Sequence, residues 1–308
     1  MEIYRTKADI EGKKPSAIAV GFFDGVHVGH TALINQCVAF AKEHGLSADI
    51  FTFRTHPKNI LKGEMLIPRL IPESEKLLIL SGLGVDRVFD FDFTEIYHTM
   101  PPDIFAKTML KDTFSAEAVF CGFNFHFGAN AEGDPVLLKD LGARYGFSTH
   151  VLDPVYVSDH IVSSSLIRRC VNSGDVEPAA RLLGRDFSLT GVVERGRGIG
   201  RVFKFPTANF FPDADITLPA YGVYVTETLA DGKLYPSVTN IGVSPTIEDF
   251  TSIRVETHLL DLDLPLYGKE IKVLFKKMLR EERFFDSEEA LIRQITIDAE
   301  TARQFFFK

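Results

Sequence analysis

The chain has 308 residues, 45% hydrophobic and 25% charged, the composition of a globular protein and a length that suits two domains better than one. Its formal net charge of −8 argues against bulk nucleic-acid binding as the main task, yet leaves room for small phosphorylated ligands held by local basic and backbone groups. No apolar run approaches the roughly 20 residues that cross a bilayer, so no membrane role is expected. Met1-Glu2-Ile3-Tyr4-Arg5 lacks the apolar core of a secretory signal. Cys37, Cys121 and Cys170 show neither a paired framework nor metal spacing, which fits a reducing cytoplasm.

In chain order, the first half alternates strand and helix signals. Strands are expected over 18–22, 48–53, 87–91, 118–122 and 149–154, and helices over 32–44, 74–81, 103–110 and 136–145. In the first helix Leu33, Cys37 and Ala41 recur at i+4, and Gly45 stands as its stop. Such alternation predicts βαβ units around a mostly parallel sheet, whose ligands bind at the carboxyl ends of strands. Two short helices follow over 164–171 and 175–183, and at Arg185 the texture changes. Strands over 189–194, 222–228, 234–240, 252–260 and 270–275, with Asp231-Gly232 as a hairpin turn, predict a small antiparallel barrel. A final helix opens with the capping-box pattern Asp286-Ser287-Glu288-Glu289 and runs to about Phe305. Domains are therefore expected over 1–185 and 186–308.

Residues 21–30, Gly-Phe-Phe-Asp-Gly-Val-His-Val-Gly-His, are the most informative ten in the chain. They follow an apolar strand and precede a helix, which seats an anionic phosphate where N–H groups and the positive dipole end converge. Gly25 and Gly29 bracket His27 and let the backbone approach a ligand, a pattern that a single buried structural histidine would not carry. In 51–57, Arg54 and His56 stand at a strand end, where a histidine before proline reads as a turn residue. In 121–134, Asn124 can donate and accept at once, as a nucleotide base or ribose requires. Ser163-Ser164-Ser165 open a helix, with Arg168-Arg169 about one turn on. A cap explains one serine, and phosphates would use all of them. Arg69 to Lys76, with Glu73 and Glu75, reads as a solvated helix start.

In the second half, Thr207 and Asn209 lie two apart in Lys-Phe-Pro-Thr-Ala-Asn-Phe. On one face of an extended segment their oxygens suit Mg²⁺; taken alone, a turn after proline explains them better. Along 253–259, Ile253, Val255, Thr257 and Leu259 form one face, and Arg254, Glu256 and His258 the other. A carboxylate there can accept a proton from a substrate hydroxyl, and a solvated surface accounts for the same pattern. Gly196-Arg-Gly-Ile-Gly200 is followed by Arg201, so the dinucleotide fingerprint is broken; it reads as a lid-like loop. No phosphate-binding G-x-x-x-x-G-K-[ST] segment is present.

The segments 21–30, 53–57, 122–128 and 163–168, in this order, resemble the nucleotidyltransferase half of the bacterial bifunctional riboflavin kinase/FMN adenylyltransferase (FAD synthetase) family. The segments 191–200, 204–210, 221–224, 240–246, 254–258, 266–268 and 279–282 resemble its riboflavin kinase half. The resemblance implies a Rossmann-like α/β nucleotidyltransferase domain with a parallel sheet, then a small antiparallel β-barrel domain with a C-terminal helix. It implies that FMN attacks the α-phosphate of ATP to give FAD and pyrophosphate, and that the γ-phosphate of ATP passes to the ribityl 5′-hydroxyl of riboflavin to give FMN. His27 and His30 would stabilise the α-phosphate. Gly21, Phe23, Asp24, Gly25 and Gly29 would form the nucleotide loop, with Asp24 shaping it or capping it. Ser164, Ser165 and Arg168 would hold ATP phosphates, Asn124 would orient the flavin substrate, and Arg280 would lie near the flavin. Thr207 and Asn209 would contact Mg²⁺–ATP, and Glu256 would be the general base. The chain departs from the family pattern at Ala129-Asn130-Ala131, where basic residues are usual, and at Asp186, Lys204 and Ser244. The rival readings are a riboflavin kinase with a weakened first domain and a flavin-binding regulator without turnover.

Overall fold

The computed structural model describes all residues except 11, 13, 195–204, 246–250, 263 and 308, and no side chain at 95, 244, 245, 251 or 252. The lid-like reading of 196–200 and the departure at Lys204 fall outside the described residues. The chain divides into two compact units, Met1–Ser164 and Ser165–Lys308.

The first unit is built on six parallel strands: β1 (Glu2–Tyr4), β2 (Ser16–Val20), β3 (Ser47–Phe53), β4 (Arg87–Phe91), β5 (Ala116–Gly122) and β6 (Ser148–Leu152). Their order is β1-β4-β3-β2-β5-β6, every neighbouring pair parallel. Strands buried on both faces explain the near-continuous apolar runs. Ala17, Ala19, Ile50, Val88 and Phe120 turn to one core, while Ile18, Val20, Phe51, Phe89 and Val119 turn to the other. Because β2 lies between β3 and β5, the direction of strand succession reverses there, and that crevice is where open α/β sheets take ligands.

The connections include α1 (Val28–His44), α2 (Pro57–Lys62), α3 (Glu73–Gly82), α4 (Glu95–Thr99), α5 (Pro102–Ile104) running into a π-helical stretch (Phe105–Thr113), and α6 (Pro135–Tyr145). As expected, α1 ends at Gly45, whose φ of 68° lies in the left-handed region. The short strands β7 (Tyr156–Val157) and β8 (His160–Ile161) close the unit's tail as a hairpin.

In the second unit α7 (Ser164–Asn172) and α8 (Val176–Leu183) precede an antiparallel sheet. Its strands are β9 (Phe187–Val192), β10 (Ala208–Phe210), β11 (Gly222–Ala230), β12 (Lys233–Pro245), β13 (Thr251–Leu259) and β14 (Glu270–Glu281), ordered β10-β13-β12-β11-β14-β9. A bridge from Glu194 to Asn209, with the Glu194 N–H donating to the Asn209 carbonyl (2.7 Å), joins the two ends and closes the barrel. Asp231 and Gly232, at φ 49° and 76°, form the expected hairpin turn between β11 and β12. The last helix, α9 (Glu288–Phe306), packs Ala299 and Ala302 against Val225 and Leu260. Its cap is Ser287, whose hydroxyl accepts from Ala290 N–H; alanine at that position returns no bond, so a single cap stands in place of the box expected from Asp286 to Glu289.

The barrel interior carries a feature that hydropathy does not reveal. Thr226, Thr228, Ser237, Thr239 and Thr257 are fully buried. Their hydroxyls close a ring of hydrogen bonds: Thr226–Ser237 (2.8 Å), Ser237–Thr228 (2.9 Å), Thr228–Thr257 (3.1 Å), Thr257–Thr239 (2.9 Å) and Thr239–Thr226 (2.7 Å). Each hydroxyl donates once and accepts once, so five buried polar groups satisfy one another without water. The ring ties β11, β12 and β13 together beneath the face that carries Glu256.

Candidate active sites

In the first unit the chain leaves β2 at Gly21 and makes a tight left-handed turn before α1. Phe23 (φ 52°), Gly25 (φ 76°) and Val26 (φ 36°) all take positive φ. For the β-branched Val26 this is a strained conformation, of the kind that persists only where neighbours over-determine it. Several bonds do so. The Asp24 carboxylate accepts from Leu70 N–H (2.9 Å), and the Asp24 carbonyl accepts from Ser164 Oγ (3.0 Å). Thr52 Oγ1 donates to the Phe22 carbonyl (2.9 Å), which also accepts from Lys76 Nζ (3.0 Å). Asp24 is thus a brace of the turn, and the cap of α1 is His27, whose Nδ1 accepts from His30 N–H (3.2 Å). A Cβ at Gly29 would stand 3.3 Å from the His27 ring, so glycine leaves that ring its place over the first helical turn.

The turn brings His27 and His30 into a stack, ring centroids 3.5 Å apart at 14°. Phe23 meets the His30 ring edge-on. Burial first, then the nearby His27 and Lys76, hold His30 well below the usual imidazole range, so it stays neutral. His30 Nδ1 is buried and has no hydrogen-bond partner among the described residues. An orphaned ring nitrogen beside a helix N-terminus is a group prepared for an incoming polar ligand.

On the neighbouring strand end, β5 gives way to a turn in which Phe125 N–H donates to the Gly122 carbonyl (3.0 Å), leaving Asn124 exposed at the crevice edge. The divergent Ala129–Ala131 segment is a single 3-10 turn. Backbone anchors it: Ala129 N–H donates to the Met100 carbonyl (2.7 Å), and Gly128 (φ 76°) packs on Pro102. His56 caps α2 through Nδ1 and Lys58 N–H (3.2 Å), and Arg54 pairs with Asp92. Of the phosphate-binding candidates at 164–168, Ser164 belongs to the first unit, while Ser165 and Arg168 stand on α7 in the second.

One expectation is overturned. The stretch from Arg69 to Lys76 is not simply a solvated helix start, because Lys76 is buried on the same side of α3 as Leu80. Its Nζ bonds the Phe22 carbonyl and Thr52 Oγ1 (2.8 Å). Within the sequence, the i, i+4 spacing of Lys76 and Leu80 was the available signal, masked by the acidic residues around it.

In the second unit β10 pairs with β13 so that Asn209 lies opposite Glu256, and β12 places Asn240 on Glu256's other side. The expected faces of β13 are observed: Val255, Thr257 and Leu259 are buried, and the Glu256 side chain keeps 37% of its surface exposed. Arg254 Nη1 lies 3.7 Å from Glu256 Oε1 and its guanidinium sits over the Phe211 ring. Asn209 Nδ2 donates to the Thr207 carbonyl (3.2 Å) and to Thr207 Oγ1 (3.3 Å). This orientation leaves Asn209 Oδ1, an acceptor, buried and without a partner among the described residues. His258 Nδ1 donates to the Pro206 carbonyl (2.8 Å), fastening this segment to β13. Thr207, Asn209 and Glu256 are therefore brought together. The guanidinium of Arg280 holds Asp298 of α9 (Nη2–Oδ2 2.9 Å) and lies over Phe285. Asp186, a departure from the family pattern, pairs with Lys276 (2.7 Å), which also meets Glu227.

Among the described residues no cluster of three or more His, Cys, Asp or Glu side chains could hold a metal ion, and no helix is long and apolar enough to cross a membrane. Residues 9–166 match the family model of FAD synthetase and residues 183–306 that of riboflavin kinase. The bifunctional riboflavin kinase/FMN adenylyltransferase of Listeria monocytogenes is 32% identical over 94% of this chain and 92% of its own length. That of Escherichia coli K12 is 34% identical over the same shares. Among solved structures, one titled macrolide-efflux protein from Streptococcus pneumoniae superposes with a TM-score of 0.89 at 26% identity, covering 98% of both chains.

Proposed function

The chain belongs to the bifunctional riboflavin kinase/FMN adenylyltransferase family, and from that premise we propose how its residues divide the two reactions. The protein is a transferase that phosphorylates riboflavin to FMN with ATP and adenylylates FMN to FAD with release of pyrophosphate. Adenylyl transfer belongs to 1–185 and phosphorylation to 186–308.

For adenylyl transfer, a phosphate oxygen of FMN attacks the α-phosphorus of ATP as the bond to the β-phosphate oxygen breaks. Negative charge rises on the transferring group, and preorganised donors stabilise it more there than in the ground state. His27 and His30 are the donors we assign. Held neutral, His30 stacks on His27 without the repulsion that two cations at 3.5 Å would suffer. Gly21, Phe23, Asp24, Gly25 and Gly29 shape the nucleotide loop, Ser164, Ser165 and Arg168 hold ATP phosphates, and Asn124 orients the flavin substrate. With no covalent intermediate needed, alignment carries the rate.

For phosphorylation, Glu256 accepts the proton of the ribityl 5′-hydroxyl as that oxygen attacks the γ-phosphorus and ADP departs. Thr207 and Asn209 would hold Mg²⁺. An amide and a hydroxyl oxygen are donors this hard cation accepts, and the unpartnered Asn209 Oδ1 supports the fit. When bound, the cation would neutralise phosphate charge. Arg280, paired with Asp298 where β14 meets α9, would lie near the flavin. Three unpaired cysteines support a cytoplasmic location.

The observation that carries this division is that an orphaned buried polar atom stands at each proposed site, His30 Nδ1 at one and Asn209 Oδ1 at the other. A product assay tests it: riboflavin, ATP and Mg²⁺ should yield FMN and then FAD, and FMN supplied directly should yield FAD. FMN without FAD would reduce the protein to a kinase, and flavin binding with neither product would leave a regulator.

A further inference from the structure

A lysine on the buried side of a helix needs a reason, because desolvating an ammonium group is costly. Lys76 occupies such a position on α3, 8% exposed, one turn before the fully buried Leu80. Two acceptors meet it: the Phe22 carbonyl at 3.0 Å and Thr52 Oγ1 at 2.8 Å. The threonine hydroxyl donates onward to the same carbonyl (2.9 Å), so one peptide oxygen is held by two donors that are themselves bonded together. That oxygen belongs to the residue immediately before Phe23, where the backbone first enters the left-handed region. The peptide plane fixed there sets the direction in which the chain turns toward His27. The ammonium also lies 5.4 Å from the Phe22 ring centroid.

The surroundings concentrate charge on this spot. A small open cleft runs beside the turn, and Asp24, Glu73, Asp90, Arg54 and Arg69 line it with Lys76. Arg5 ties Asp90 and Glu73 together across it. Asp90 is buried, and its Oδ1 has no partner among the described residues.

We propose that Lys76 is a positioning residue for adenylyl transfer: by pinning the Phe22 carbonyl it holds the left-handed turn that presents His27 and His30 to the α-phosphate of ATP. The inference rests on reading Gly21 to His30 as the adenylyl-transfer site. Lys76 touches neither substrate nor reacting atoms in this role. Its charge matters as well as its bond, because the same ammonium helps to keep His30 neutral. Asp90 on β4, Asp24 in the turn and Glu73 on α3 favour the charged amine, while Arg69 opposes it. Burial outweighs them and brings Lys76 down to about 8. The tether is accordingly strongest below that pH and weakens above it, as the amine loses its charge.

The test uses the full chain with Lys76→Met, which keeps the length and loses the donors, and Lys76→Arg, which keeps the charge. Riboflavin phosphorylation in the same samples reports on the intact second unit, and binding of α,β-methylene-ATP by calorimetry reports on the nucleotide site without turnover. Lys76→Met should lower kcat for FAD formation by about 10- to 100-fold, the scale of a misplaced catalytic group. It should leave the KM for ATP within about threefold and FMN formation unchanged. Wild-type FAD formation should fall above about pH 8; that fall should be absent from Lys76→Met and lie at higher pH in Lys76→Arg, with part of the rate restored. Activity of Lys76→Met within about twofold of wild type would overturn the proposal. So would a loss of rate that leaves the pH profile unchanged and comes with a lowered melting temperature, since that is a folding defect. Should His27→Ala and His30→Ala also form FAD normally, the site reading itself would be wrong. Should they fail while Lys76→Met behaves as wild type, only the role of Lys76 falls.

Discussion

Replacing Thr226 with valine cuts the hydroxyl ring of the barrel at one of its five members, and the structure sets the size of the effect. Thr226 bonds Ser237 and Thr239 at 2.8 and 2.7 Å, in a site with no exposed surface. Valine keeps the shape and loses both bonds, each worth about 1 kcal/mol net. Around a ring in which Thr239 donates to Thr257, the cut leaves one neighbour with an acceptor unfilled and Ser237 with a buried donor unmet. An unmet buried group costs about 1–3 kcal/mol, so the total is roughly 2–4 kcal/mol, a fall of about 10 °C in the melting temperature of the second unit. Thr239→Val should cost a similar amount. The double variant should cost about 1 kcal/mol less than the sum, because the bond between the two is counted in both singles. The chain has no tryptophan, so urea unfolding is best followed by circular dichroism with riboflavin kinase activity as a marker of the second unit and FAD formation as a marker of the first. A single-variant cost under about 0.5 kcal/mol, or strict additivity in the double, would refute the closed ring.

Three further outcomes are expected. Glu256→Gln should depress FMN formation by about 10²- to 10⁴-fold while riboflavin still binds; near-normal turnover would remove Glu256 as the base. His27→Ala and His30→Ala should each lower FAD formation by about 10²- to 10³-fold and spare FMN formation, and loss of both products from either variant would contradict two separate sites. For pH, His30 is held neutral in the folded chain while its unfolded form takes up a proton near the ordinary 6.5. The unfolded state then binds more protons as pH falls below that value, so this residue's contribution to stability is present above it and is lost in acid. His30→Asn should flatten that part of a stability profile measured by urea titration, and an unchanged slope would show that His30 is not desolvated.

Much of the architecture is legible without coordinates where the signal is local. The strand over 87–91 and the stop at Gly45 follow from apolar runs and from glycine's freedom at positive φ. Edge elements are less legible. Strand β1 is three residues long and defined by pairing with β4, and β10 is defined by pairing with β13, so neither carries a pattern of its own. Helix α1 starts earlier than periodicity suggests because its cap is His27, a residue type seldom read as a cap. Lys76 was hidden by its neighbours: flanked by acidic residues it looks solvated, and its partners lie 54 and 24 positions away. The partner of Arg280, Asp298, likewise comes from a separate element, α9.

The sequence by itself determined two domains of different class, the family, the residue types of both sites and the turns that glycine and asparagine-like residues permit. Those properties depend on neighbours a few positions apart, where periods of two and 3.6 leave a readable trace. Tertiary structure alone decided which carbonyl the buried lysine holds, which strand brings Asn209 opposite Glu256, how the barrel closes at Glu194 and Asn209, and that five hydroxyls meet in a ring. Each of these joins residues distant along the chain through the order and register of strands, and a one-residue change of register would turn every such side chain to the opposite face.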